Sequence, residues 1–163
     1  MSVSVILPTL GRPTLQRSID SILSQLLPGD ELLIQVDSKP HKDDGNWCRD
    51  EMIARAQGTH LWFLDDDDIA LPGAIEAFHQ AISEAPEVCW IFRILLCGNP
   101  MWKVPGKIMP GNQQGQCLLV PRLASPQWVS DGYGSDYHYL QRIHIDKKWA
   151  SPIIAQIRPP IPS

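Results

Sequence analysis

Leu61-Trp62-Phe63-Leu64 runs straight into four consecutive aspartates, Asp65 to Asp68. The apolar run reads as a buried strand, but carboxylates in a row cannot follow it into a core. The strand therefore ends at a sheet edge, and its tip carries a dense block of hard oxygen ligands. Carboxylates this close repel one another, so a cation is the natural compensation. A solvated acidic loop is the plain alternative. The preceding strand and the other strand ends favour cation or donor binding.

The rest of the first half supplies a frame for that tip. Val3 to Leu7 is an apolar, β-branched run closed by Pro8, which suits a buried parallel strand. A helix is expected from near Pro13, with Leu15, Ile19, Ile22, Leu23 and Leu26 on one face and Pro28-Gly29 as its stop. Leu32 to Val36 is a second strand, ending on Asp37. After a polar loop, Asn46 is placed to cap a helix running to about Gln57, with Gly58 beyond it. Thr59 to Leu64 is the third strand. Leu71, Ile75, Phe78 and Ile82 mark a third helix, opened by Leu71-Pro72-Gly73. This β-α-β-α-β-α order calls for a parallel sheet between helices.

The second half is less regular. Val88 to Leu96 and Cys117 to Val120 read as strands, and 101–116 as loops or a loose hairpin. Ser135 is placed to cap a short helix with Asp136, Leu140 and Ile143, and Pro152 to Ile157 reads as a last edge strand. Residues 1–163 are expected to form a single α/β domain, since that length holds one comfortable core and not two. A formal charge of −4 gives no general basic footprint and counts against a nucleic-acid partner. Cys48, Cys89, Cys97 and Cys117 have no zinc-ligand spacing and read as buried free thiols. With neither a signal-peptide pattern at the N-terminus nor an apolar stretch long enough to span a bilayer, the expected location is cytoplasmic.

Ligands of an open parallel α/β sheet bind beyond the carboxyl ends of its strands. Those ends carry Pro8-Thr9, Asp37-Ser38 and Asp65 to Asp68, with Arg12 after the first. As an ordered set, Val3 to Thr9, Asp37-Ser38, and Gly45 to Asp68 with Arg49 and Ala56-Gln57-Gly58 resemble the family 2 glycosyltransferases, which have the GT-A fold. The aspartate block resembles that family's Asp-X-Asp motif. Leu71-Pro72-Gly73 fits as well, and Gly134-Ser135-Asp136-Tyr137 with Leu140 and Arg142 resembles the segment bearing the catalytic aspartate. This sequence departs from the pattern in having Ser135 where the family has glutamate, in a lean region between the aspartate block and Asp136, and in lacking a histidine after His144.

The resemblance implies a nucleotide-binding α/β sandwich, mainly parallel, with a small additional sheet. Residues 1–84 would form the nucleotide-sugar half and 85–163 the acceptor half. Thr9 and Asp37 would meet the base and ribose of a nucleotide-sugar donor, expected to be a UDP-sugar. Asp65 would hold the ribose side, with Pro8, Arg12, Arg49 and Asp66 completing the donor site. Asp67 would bind manganese or magnesium bridging the two phosphates. Asp136 would take the proton of an acceptor hydroxyl, giving a single displacement with inversion. A saccharide is the favoured acceptor over a modified nucleic-acid base.

Taken alone, several of these residues have ordinary readings. Asp37 suits a turn, Asp136 the first turn of a helix, and Arg12 and Arg122 the surface. Their place in the ordered set is what favours function for Asp37 and Asp136. Trp102 and Trp128 suit sugar stacking and core packing equally, whereas Trp47, Trp62 and Trp90 read as core. Two other functions compete. A nucleotidyltransferase also uses metal-binding aspartates, but Leu10-Gly11-Arg12-Pro13 is a thin version of its phosphate loop. A non-catalytic nucleotide- or sugar-binding module would not need both Asp67 and Asp136.

Overall fold

The computed structural model describes residues 1–37, 45–96, 99–100, 106–111, 113–128 and 134–160. Ser38, Cys97 and Trp102, and the polar loop before Gly45, lie outside the described residues. The chain alternates β1 (Val3–Thr9), α1 (Leu15–Leu23), β2 (Glu31–Val36), α2 (Asn46–Arg55), β3 (His60–Phe63), a short β4 (Ile69–Ala70) and α3 (Ala74–Glu84). Then follow β5 (Cys89–Leu96), β6 (Asn99–Pro100), β7 (Leu118–Pro121), α4 (Ser135–Gln141) and β8 (Lys147–Ile157).

The described strands join one sheet in the order β2-β1-β3-β7-β5-β8-β4, with β6 paired to β5. β1 runs parallel to both β2 and β3, and β5 parallel to β8. Every residue of β1 and β3 is buried, the signature of strands covered on both faces. At the edge, β2 exposes Ile34 and Val36. α2 packs on β1 and β2, α1 on β4, and α3 on β8. A core of side chains from Val3 to Ile157 runs through both halves of the chain. Among the described residues no helix is long and apolar enough to cross a membrane.

Several local expectations are corrected. Leu23 is exposed, and the inner face of α1 is built from Ile22 with Ser18, whose hydroxyl donates to the Asp68 carbonyl at 2.5 Å. Neither Asn46 nor Ser135 caps its helix. Both are first helical residues, preceded by Gly45 (φ 79°) and Gly134 (φ 105°) in the left-handed region that glycine enters without a steric penalty. The C-terminal strand is longer than expected and interior, since it pairs with β5 on one side and β4 on the other. Trp62 and Trp90 are core as expected, but Trp47 is 45% exposed.

Candidate functional site

Strand register explains how the acidic block meets the first strand. Ile6 pairs with Phe63, and Leu64 donates its amide to the Ile6 carbonyl. Two residues on, Asp65 is level with Pro8 and Asp66 with Thr9. The Thr9 hydroxyl accordingly donates to Asp66 at 2.6 Å. On the other side of β1, Asp37 donates its amide to the Thr9 carbonyl at 2.8 Å, so the second strand end arrives at the same level.

The four aspartates have different environments. Asp66 is buried and accepts from the Thr9 hydroxyl, the Leu10 amide and Arg12 Nη1. It pins the loop after β1 to the tip of β3. Asp65 meets Arg49 Nη2 at 2.5 Å and accepts from Gln116 Nε2 at 2.8 Å. Asp68 is buried beneath the block, accepting from Gln116 Nε2 at 3.0 Å and from the Arg158 amide at 2.9 Å. Burial, with Asp65 and then Asp67 adding to it, pushes its carboxyl up to about 8. At neutral pH Asp68 therefore favours its protonated form, which limits the charge packed into the block. Asp67 is partly exposed, like Asp65, with Arg12 Nη1 at 3.3 Å and Arg158 Nε at 3.9 Å.

Gln116 and Arg158 carry no signal in the sequence, and the sheet topology is what delivers them. Because β7 is antiparallel to β3, its start lies beside the end of β3, and the Gln116 carbonyl accepts from Trp62 Nε1 at 2.9 Å. Because β8 is antiparallel to β4, its end lies beside the start of β4, which puts Arg158 next to Asp68. Long-range pairings of this kind have no local periodicity to betray them.

Arg49 is buried, bonded to Asn46 Oδ1 as well as to Asp65, and its guanidinium lies 4.9 Å from the centre of the Trp128 ring. Trp128 is itself 5% exposed and stacks on Tyr139 at 4.1 Å. That resolves the open reading of Trp128: it is a packing residue, which braces Arg49. Gly115 sits between this ring and the acidic helix start. A β-carbon there would lie 3.0 Å from Asp136 Oδ1 and 3.1 Å from Trp128 Cη2.

A cavity of about 690 Å³ opens over these strand ends. Pro8, Thr9, Arg12, Asp37, Arg49, Asp65, Asp66, Asp67 and Asp136 all line it, so every expected site residue reaches one space. Their shares differ. Thr9, Asp66 and Arg49 are buried and committed to other side chains, and Asp67 is better placed to meet a ligand. A smaller cavity of about 290 Å³ adjoins it, bounded by Asp68, Leu96, Gln116 and Ile157. Asp65, Asp67, Gln114, Asp136 and Arg158 line both.

Among the described residues no three His, Cys, Asp or Glu side chains converge as a ready-made metal cage. Magnesium and manganese at phosphate sites need less. One or two carboxylates suffice when substrate phosphates and water supply the other oxygens. Asp67 fits that mode, with the partly exposed Asp65 beside it.

The fold recurs among solved structures. S. aureus TarS 1-349 matches with a TM-score of 0.74 and 13% identity, over 96% of this chain and 60% of that one. The fold is of the GT-A type. The complex of S. aureus TarS 1-349 with UDP-GlcNAc matches over the whole of this chain and 60% of that one, at a TM-score of 0.68 and 13% identity. A197 from STIV matches at a TM-score of 0.64 and 14% identity, over 93% of this chain and 82% of that one. The chain thus spans about 60% of the length of the TarS 1-349 structures, and the likeness is one of fold. No protein-family model and no curated protein sequence matches the chain.

Proposed function

We propose that this chain is an inverting glycosyltransferase of the family 2 kind, moving a sugar from a UDP-sugar to an acceptor hydroxyl. The observation that carries the reading is the convergence of three strand ends and Asp136 on one 690 Å³ cavity, a volume suited to a small-molecule site. The GT-A neighbours lend support, since TarS structures hold UDP and UDP-GlcNAc.

Residues 1–84 form the donor side in this reading. Pro8, Thr9 and Asp37 line the nucleoside end. Arg12 stands where phosphates pass, while Arg49 holds Asp65 in place. Asp67 would hold manganese or magnesium, which when bound offsets negative charge on the diphosphate. Residues 85–163 supply Asp136, which accepts the proton as the acceptor oxygen attacks the anomeric carbon from the face opposite the leaving group. A saccharide hydroxyl is the favoured acceptor. The net charge of −4 disfavours nucleic acid.

The nucleotidyltransferase alternative needs loop amides aimed at phosphate. Here the Leu10 amide donates to Asp66 and the Gly11 amide to the Thr9 hydroxyl. Both are consumed inside the protein, which favours the glycosyltransferase reading.

The test is a panel of nucleotide sugars assayed for nucleoside diphosphate release, with and without EDTA. Release from a UDP-sugar that falls in EDTA and in Asp67→Ala is the expected result. Failure of every nucleoside diphosphate to bind would defeat the proposal, and equal affinity with and without metal would remove the metal from it.

A further inference from the structure

Arg158 is the one non-glycine residue with positive φ (47°) among the described residues. Arginine has no intrinsic preference for this region, and such outliers persist only where the surroundings enforce them. The enforcement is visible. β8 ends at Ile157, and the Arg158 amide is then held by the buried Asp68 carboxyl at 2.9 Å. The turn sends the guanidinium into the open, 75% exposed, with Nε 3.9 Å from Asp67.

Its position is the second observation. Asp65, Asp67, Gln114, Asp136 and Arg158 line both cavities and so mark their junction. Three of these are carboxylates, and among the described residues Arg158 is the sole cation of the set. Arg49 is buried and tied to Asp65 and Asn46, and Arg12 is hydrogen-bonded to Asp66 at 2.8 Å. A diphosphate entering this acidic junction needs a compensating positive group that is free to reach it.

We infer that Arg158 binds the leaving diphosphate and takes up the charge that develops on it during transfer. The assignment rests on the glycosyltransferase reading above. As the acceptor oxygen bonds to the anomeric carbon, its proton passes to Asp136. The bond from that carbon to the β-phosphate oxygen breaks, and its electron pair stays on the diphosphate, within reach of the guanidinium. Asp67 holds Arg158 loosely at 3.9 Å beforehand, a contact that a phosphate can displace.

Titration of uridine and UDP into the full chain, as wild type, Arg158→Gly and Arg158→Lys, separates this role from a purely structural one. Glycine accepts the positive φ, so Arg158→Gly should match or exceed wild type in melting temperature. It should nevertheless bind UDP about 10-fold more weakly, as expected for a lost charged hydrogen bond, with uridine affinity unchanged. Turnover should fall along with UDP affinity, and Arg158→Lys should restore part of both. Wild-type affinity for UDP in Arg158→Gly overturns the assignment, as does an equal loss for uridine and UDP. A wild-type chain that binds neither compound defeats the function proposed above and takes this inference with it.

Discussion

In the proposed mechanism Asp136 is the residue whose role separates most cleanly from donor binding, because Asp67 would face the leaving group and Asp136 the incoming hydroxyl. Asp136→Asn should lower turnover by about 10²- to 10⁴-fold with little change in UDP affinity, and the wild-type product should show inverted anomeric configuration. Normal turnover in that variant, or retained configuration, would defeat the mechanism. Gly115 supplies a second test at the same point. A methyl group there must displace either the Asp136 carboxylate or the Trp128 ring, so Gly115→Ala should lower kcat and shift its pH profile while sparing UDP binding. An unchanged profile would mean that the carboxylate is not placed by this contact. Away from the site, His60 is buried between the Pro86 carbonyl and the Thr59 hydroxyl, and burial lowers its pKa from the ordinary 6.5. The unfolded chain then binds the proton more readily, so stability is complete above about pH 6.5 and is lost as pH falls below it. Melting temperature should drop between pH 7 and pH 5, and drop less in His60→Gln. At this scale the strand ends point to Asp37 and Asp67, whereas Asp136, in the first turn of α4, is reached only through the resemblance of its segment. Gly115, Gln116 and Arg158 were silent, since their importance comes from what the fold sets beside them.

Elements were legible where the contacts that shape them are local. The β-α-β-α-β-α order of the first half follows from apolar runs and helical spacing, and the parallel pairing of β1 with β2 and β3 follows from that order. The caps differ from expectation although Asn46 and Ser135 are good capping residues in general. The backbone instead turns at the glycine before each, where φ is positive. β8 read as an edge because nothing in Lys147 to Ile157 reports its two neighbours, and β4 is too short for any pattern. Gly58, by contrast, reads as a helix stop and has a stricter duty. A β-carbon there would lie 2.5 Å from Ser4 Oγ and 2.6 Å from the Ser4 amide nitrogen, where the turn before β3 crosses β1. Its own amide donates to that hydroxyl at 2.9 Å. Backbone cannot yield cheaply, so Gly58→Ala should cost about 1–3 kcal/mol by urea unfolding. A loss near zero would mean that the two segments can part without consequence.

Both halves of the chain share one core, so residues 1–84 and 85–163 should lose structure together. Val5, Trp62 and Phe78 belong to the same cluster as Ile91, Leu119 and Ile154. The buried thiols report on this directly. Cys48 lies in α2, Cys89 in β5 and Cys117 in the short turn before β7, all three outside any disulfide and wholly enclosed. Burial pushes the Cys89 and Cys117 thiols up to about 12, so almost no thiolate forms at pH 8 in the folded chain. In a Cys97→Ser background, labelling of these three by a disulfide reagent should be on the order of 10³-fold slower than in the unfolded chain. It should rise along the same urea curve as the loss of helical circular dichroism, because a single cooperative core opens all three sites in one transition. Separate labelling curves for Cys48 and for the Cys89–Cys117 pair would show two units unfolding independently. The strand pairing from β3 through β7 to β5 would then be too weak to couple the nucleotide side to Asp136, and the convergence on which the proposed chemistry depends would not be held by the fold.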